Sequence, residues 1–283
     1  MIKINKCVIP AAGIGSRMLP ITKVIPKEIL PLVNIPVIYY GVEEAKKSGV
    51  NDLIFITSPD KTPVIDFFDY SPLQEKYREL LEKYSKMVRI ISIRQSFPKG
   101  LGDAINRAAD IIDDDYFFVI LPDDVIMAKE PVLGQMKNAF DDREGIYLSL
   151  MEVPEQDVSK YGIVSGELIS EKVIRIDNLI EKPSVEEAPS RYAVIGRYIL
   201  SKKIFNELSK TKPGKKGEIQ LTDAIKDLIG EIPVYGYVFD GERYDTGNVA
   251  GYVKANIRFS IENGEIKTDI LNFMKEMLRK FSN

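Results

Sequence analysis

Arg17 and Lys27 lie in one glycine- and proline-rich stretch, AAGIGSRMLPITKVIPKEILP at 11–31, directly after a short apolar run, KCVIP. Gly13 and Gly15 let backbone N–H groups approach phosphate oxygens with no Cβ in the way. Arg17 offers a phosphate a planar fork, and Lys27 a mobile point charge. The stretch is not a dinucleotide fingerprint, because Met18 stands where the third glycine belongs. Nor is it a P-loop, since no Gly-Lys-Ser/Thr closes it. An ordinary strand–helix turn with solvated cations would read much the same. Two cations in a loop stiffened by Pro20 and Pro26 bring the two readings level.

The other candidates are carboxylates, an amide and one ammonium. LPDD at 121–124 follows a very apolar run and places Asp123 where it could hold a cation. Magnesium takes oxygen ligands in octahedral geometry, often one or two carboxylates with phosphate and water. The plain alternative for Asp123 and Asp124 is a turn or a helix cap. Asp245, in RYDTGN, is a second acid with the same two readings. Gln95, in RQSFPKGLGDAI, can donate and accept at once, which suits the imide edge of uracil or thymine. A surface glutamine before a Pro-Gly turn is the commoner case. Glu181 and Lys182, in IEKPS, can offer a carboxylate to sugar hydroxyls and an ammonium to a phosphate, or form a solvated pair.

Composition narrows the chemistry. The chain has 283 residues, 45% hydrophobic, enough for a sizeable core. A net charge of -3 gives no basic field for nucleic acid, so a phosphate site must be a local cluster. There is no histidine. That excludes a Ser-His-Asp triad, a histidine base and histidine metal ligands. The remaining tools are carboxylates, Lys, Arg, backbone amides and a hard cation held by oxygens. The single cysteine, Cys7, cannot form an internal disulfide and weighs against structural zinc. It fits a reducing, cytoplasmic setting and reads as a small buried hydrophobe. No apolar run is long enough to span a bilayer, and MIKINKCVIP lacks a signal-peptide core, so no membrane partner is expected.

Strands must position these groups. KCVIP, LIFIT at 53–57, VRIISIR at 88–94 and YFFVIL at 116–121 are near-continuous apolar runs, as in a parallel sheet buried on both faces. Between them, helices are predicted over 36–48, closed by Gly49; over 71–87, with Ser71 as N-cap and Pro72 at the first position; and over 100–112. Alternation of this kind predicts an α/β, doubly wound, mostly parallel mixed sheet. Ligands then sit beyond the carboxyl ends of the strands, so the loops after KCVIP, VRIISIR and YFFVIL face one site. After about 145 the chain turns β-rich, with IYLSLMEV, YGIVSG, VIRIDNLIEKP, AVIGRYIL and PVYGYVFD. Helices follow near 201–209 and 221–229, and two more over 249–262 and 268–281. TKPGKKGE at 211–218 reads as an exposed loop. Ile270, Leu271, Phe273, Met274 and Met277 form a stripe able to pack on a partner or on their own domain. One domain is expected over 1–283: an α/β half at 1–145, a β-rich half at 146–248 that adds a substrate-binding portion, and C-terminal helices at 249–283.

Taken together these motifs form a set. The chain resembles the sugar-1-phosphate nucleotidyltransferases along nearly its whole length. AAGxGxR with PKE is shared by many of them, while DVSKYGIV, EEAPS and GEIQLTDAI point to the bacterial uridylyltransferase branch. The resemblance implies a Rossmann-like nucleotidyltransferase fold and transfer of a uridylyl group from UTP to glucose 1-phosphate, with Mg2+ as cofactor. It implies a nucleotide-binding half at 1–145 and a sugar-phosphate-binding half at 146–248, with Ala11, Ala12 and Gly13 along the nucleotide, Gly15 and Arg17 at the triphosphate, Lys27 near the reacting phosphates, and Glu28 in the nucleotide site. Gln95 and Gly100 would read the uracil, and Asp123 and Asp245 would share the metal. Gly162, Glu181 and Gly196 would contact glucose, and Lys182 its phosphate. Arg17, Lys27, Asp123, Lys182 and Asp245 would carry catalysis. A dimer or tetramer of the chain is also implied. Ser16, Met18 and Asp103 replace the Thr, Phe and His common in relatives. The rivals are a thymidylyltransferase using dTTP and a non-catalytic sugar-nucleotide sensor on the same fold.

Overall fold

The computed structural model describes residues 2–69, 88–214 and 217–281. The predicted helix at 71–87 lies outside the described residues. β1 (Lys6–Ala11), β4 (Asp52–Thr57), β5 (Arg89–Arg94) and β6 (Tyr116–Ile120) are the parallel strands of the first half. β2 (Pro31–Leu32) and β3 (Ile35–Pro36) form a short hairpin between them. The second half supplies β8 (Ile146–Glu152), β9 (Gly162–Ser170), β10 (Val173–Glu181), β11 (Tyr192–Ser201) and β12 (Val234–Val238). All except the hairpin join one nine-stranded sheet in the order β5-β4-β1-β6-β11-β8-β12-β10-β9. β11 runs antiparallel to β6 and β8, so the sheet is mixed where the halves meet. A separate two-stranded sheet pairs β7 (Asp124–Met127) with β13 (Glu242–Asp245).

Side-chain alternation explains the layering. Cys7, Ile9, Phe55 and Phe118 pack on one face of the sheet, and Val8, Ile54, Ile56, Phe117 and Val119 on the other. Both faces are covered, which is why β1, β4 and β6 read as unbroken apolar runs. β5 departs from that expectation. It is the sheet edge, and none of its residues is fully buried. Burial pushes the Cys7 thiol well above its ordinary pKa. Iodoacetamide at pH 8 should therefore leave Cys7 unmodified in the native protein and modify it fully in denaturant, as read by intact mass.

Helix boundaries follow local signals. The helix Val37–Lys47 ends as expected at Gly49, whose φ is +86°. Val50 N–H bonds Ala45 O and Gly49 N–H bonds Lys46 O, the two bonds of a Schellman motif. The helix predicted over 100–112 is α-helical only at Leu101–Asn106 and then loosens into turns. The last helices, Val249–Glu262 and Lys267–Phe281, pack on each other. Ile270, Leu271, Met274 and Met277 are half-buried there, and Phe273 is exposed. Among the described residues no helix is long and apolar enough to cross a membrane.

Candidate active site

Two cavities open at the carboxyl ends of the parallel strands. The first, of about 580 Å³, is lined by Ala12, Gly13, Gly15, Arg17, Lys27, Glu28, Gln95 and Gly100. Ala11 lies buried beneath them as the last residue of β1. Gly15 takes a left-handed φ of +71°, a conformation that glycine adopts without steric cost. Thr22 Oγ1 pins the turn by donating to Gly15 O at 2.8 Å. Short 3-10 turns at Ser16–Met18, Ile21–Lys23 and Lys27–Ile29 follow, and no α-helix starts here. Prolines 20 and 26 make that the expected outcome, and Met18 turns inward to the core.

Glu28 is buried and accepts both oxygens' worth of bonds from Lys61 Nζ at 2.8 Å. Burial pushes its carboxyl up, against the pull of Lys61 and Lys27. It therefore anchors the loop from beneath. Lys61 carries no sequence signal, because the partner that gives it meaning is 33 positions away. Gln95 is also inward, at 4% exposure. Its Nε2 donates to Asp103 Oδ2 at 2.6 Å and to Gly100 O at 3.3 Å. Gly100 has φ +96°, and a Cβ there would stand 2.8 Å from Ile219 O. Ile219 in turn accepts from Gly102 N and donates to Lys99 O, so the GEIQ segment is stitched to the loop holding Gln95.

The second cavity, of about 290 Å³, is lined by Gly162, Glu181, Lys182, Gly196, Tyr161 and Thr222, among others. Glu181 accepts from Lys182 Nζ at 2.6 Å and from Thr222 Oγ1 at 3.2 Å. Lys182 has φ +48°, a left-handed conformation that costs energy for a residue with a Cβ. Its backbone N–H is held by Tyr161 O at 2.9 Å. Gly196 sits where the β11–β8 register jumps between Val194 and Tyr198. A Cβ there would fall 2.7 Å from Asp124 Oδ2, which explains the glycine.

Arg17, Leu101, Leu121 and Glu218 border both cavities. At this boundary Lys27 Nζ stands 2.5 Å from Asp123 Oδ2. Arg17 reaches Asp123 Oδ2 at 3.9 Å and Asp245 Oδ2 at 3.5 Å. Burial alone would push the Asp123 carboxyl up, but Lys27, with Arg17 behind it, holds it below the usual carboxylate range. Burial likewise opposes the charge on Lys27, and Asp123 and Glu28 outweigh it, leaving the ammonium above its ordinary value. A Cβ on Gly247 would lie 2.5 Å from Asp123 Oδ2 and 3.0 Å from Asp245 Oδ1. The two carboxylates thus converge on one bare backbone cradle. Thr246 braces it, donating from N and Oγ1 to Asp123 O at 2.8 and 2.9 Å.

Two converging carboxylates are a donor set that magnesium uses when phosphate and water complete its shell. Among the described residues no group of three or more His, Cys, Asp and Glu could hold a metal unaided. The supporting contacts around the pair were not assigned from the sequence, which read Asp124 only as a turn or cap residue. Asp124, buried, accepts from Arg243 Nε at 2.6 Å and from Gly196 N at 3.1 Å. Arg243 also stacks on Tyr161 and bonds its hydroxyl. Beneath them Arg197 is fully buried against Glu44 at 2.8–3.0 Å and donates to Leu121 O and Gly196 O. It ties β6 to the bulge of β11.

The nucleotidyl transferase family profile matches residues 6–260. A Bacillus subtilis (strain 168) protein named UTP–glucose-1-phosphate uridylyltransferase is 39% identical over 289 residues, covering 99% of each chain. A UDP-glucose pyrophosphorylase solved in complex with UDP-glucose is 41% identical with a TM-score of 0.87, covering 92% of this chain and 100% of that one. A UTP-bound UGPase from Acinetobacter baumannii is 33% identical with a TM-score of 0.89, covering 97% and 99%. The chain belongs to the nucleotidyl transferase family, and within it stands with the UTP–glucose-1-phosphate uridylyltransferases.

Proposed function

We propose that this enzyme transfers the uridylyl group of UTP to glucose 1-phosphate, giving UDP-glucose and pyrophosphate. The observation that carries the reading is the meeting of two cavities at Lys27, Asp123, Arg17 and Asp245. An oxygen of the sugar phosphate attacks the α-phosphorus of UTP, a new P–O bond forms, and the bond to the β-phosphate oxygen breaks in line. The nucleophile has a second pKa of about 6, so it is already mostly ionised at neutral pH and needs no general base. That suits a chain with no histidine.

The barrier is electrostatic. One pair of unit charges 4 Å apart repels by about 4 kcal/mol at an effective dielectric of about 20, and several pairs must meet. Ala12, Gly13 and Gly15 line the nucleotide, with Gly15 and Arg17 at the triphosphate, while Ala11, buried at the end of β1, supports them from beneath instead of touching the nucleotide. Lys27 offsets charge as pyrophosphate leaves. Gln95 and Gly100 read the uracil, while Glu28 holds Lys27's loop in place. Gly162, Glu181 and Gly196 take the glucose, and Lys182 its phosphate. Asp123 and Asp245 are the residues that would hold Mg2+, which would supply positive charge to offset that of the substrates' phosphates. Arg17 and Lys27 pair with those same carboxylates, and substrate phosphates would compete for the two cations.

The halves at 1–145 and 146–248 serve nucleotide and sugar phosphate respectively, with 249–283 as a helical appendix. The lining of the two cavities supports that division. A homo-oligomer, dimer or tetramer, and a cytoplasmic setting complete the reading. Exposed Val253, Ile257, Phe273 and Leu278 on the last two helices support the former. Relatives near 40% identity form the uridylyl rather than the thymidylyl product by name, which favours UTP over dTTP. The test is pyrophosphate release across all nucleoside triphosphates and several sugar 1-phosphates, with and without magnesium. Turnover should be greatest with UTP and glucose 1-phosphate and vanish without a divalent ion. Faster turnover with dTTP would move the enzyme to the thymidylyl branch.

Lys182→Ala should lower kcat/KM for glucose 1-phosphate on the order of a hundredfold, with UTP affinity unchanged by calorimetry. A loss of UTP affinity instead would misplace the phosphate role.

A further inference from the structure

Gln95 faces the nucleotide cavity, and which end of its amide it presents there is decided by a residue behind it. Asp103 is inward on the helix Leu101–Asn106 and has no proton to give as a carboxylate. Its Oδ2 accepts from Gln95 Nε2 at 2.6 Å, and Gly100 O, also an acceptor, takes the same nitrogen at 3.3 Å. Two acceptors at one end fix the amide. Among the described residues no hydrogen bond ends on Gln95 Oε1, and that oxygen is left for the cavity. Arg107 Nη2 holds the other carboxylate oxygen at 3.1 Å, so Asp103 cannot rotate away.

We infer that Asp103 is a positioning residue that makes this pocket select a base carrying a hydrogen-bond donor at N3. Uracil and thymine carry an N3–H. Cytosine carries a lone pair there, which would face Oε1 with no proton between them. Free to rotate, the Gln95 amide would offer Nε2 to cytosine as readily as Oε1 to uracil. Asp103 therefore excludes one class of pyrimidine without touching the nucleotide.

The inference rests on the uridylyltransferase reading, and the two fail separately. The parent enzyme is assayed first with UTP, CTP and glucose 1-phosphate by pyrophosphate release. No turnover with UTP would overturn the reading itself. Given that turnover, Asp103→Ala should lower the ratio of kcat/KM for UTP to that for CTP at least tenfold. The change should lie in the nucleotide terms, with KM for glucose 1-phosphate unmoved. Asp103→Asn keeps the shape, so it guards against a variant that does not fold. Asparagine has one acceptor oxygen for two donors, Gln95 and Arg107, and its ratio should fall by a smaller factor in the same direction. A ratio within twofold of the parent's in either folded variant overturns the inference. So does an equal loss with both nucleotides, which would mark Asp103 as merely structural.

Discussion

Asp123→Asn is expected to lower magnesium-dependent turnover on the order of a thousandfold while the chain stays folded. The Asp123 carboxylate converges with Asp245 on the Gly247 cradle. An amide at that point is neutral and can turn a donor toward the cation, so the pair no longer holds a hard divalent ion. The fold survives because the amide oxygen can still accept from Lys27, and Thr246 bonds the backbone of residue 123, not its side chain. A loss of about 1–3 kcal/mol from the weakened hydrogen bond is the expected cost, read as a shift in the urea midpoint. The pH dependence carries a sign. Lys27 and Arg17 hold the Asp123 carboxyl below its usual range, so its contribution to stability is present above the unfolded value of about 3.9 and lost as pH falls through the folded one. In the ligand-free protein the gap between parent and variant midpoints should therefore shrink as pH drops below about 4. Parent-like turnover in the variant would remove Asp123 from the metal assignment.

The gathering of these loops at one end of the sheet was legible because one rule places it. Loops after parallel strands meet at the carboxyl edge, so Gly15, Arg17, Gln95 and Asp123 had to be neighbours once the strands were read. Family resemblance supplied the rest of the expected roles. Asp123 and Asp124 show where reading stops. The residues are identical and adjacent, yet one turns to Lys27 and the other to Arg243 and Gly196 N. Asp123 closes the turn that precedes β7, while Asp124 is the first residue of the strand and is paired with Asp245 of β13, so the turn geometry, not the residue type, decides which way each points. Lys61 and the Arg197–Glu44 pair were invisible for a related reason. A buried ion pair has no local signature, since each partner alone looks like a solvated charge. Lys182 takes its left-handed backbone directly before Pro183, where its N–H bonds Tyr161 O one step beyond the Gly162–Glu181 pair of β9 and β10. β5 failed as a buried strand because its apolar count was right while its place at the sheet edge is a property of topology.

Lys27→Met should cut kcat about a hundredfold or more while leaving KM for glucose 1-phosphate within a few fold. Methionine keeps the length of the apolar stem and removes only the charge, so packing beside Glu28 is retained. That charge faces Asp123 Oδ2 at 2.5 Å. In the proposed reaction it is spent on the departing pyrophosphate, where negative charge grows as the bond to the α-phosphorus breaks. An interaction that strengthens along the reaction appears in kcat more than in substrate affinity. The same substitution makes an opposite prediction for the metal. Without Lys27 the Asp123–Asp245 pair loses one competing cation, and Arg17, at 3.9 and 3.5 Å, is the one that remains. Manganese binding without nucleotide, followed by paramagnetic relaxation of water, should therefore be equal to or tighter than in the parent. Asp123→Asn should abolish it. Loss of turnover with tightened metal binding separates a cation that acts on phosphate from one that merely holds the carboxylates in place. If Lys27→Met instead weakened metal binding in step with turnover, Lys27 would be an organiser of the metal site, and the charge on the leaving group would have to be met by Arg17.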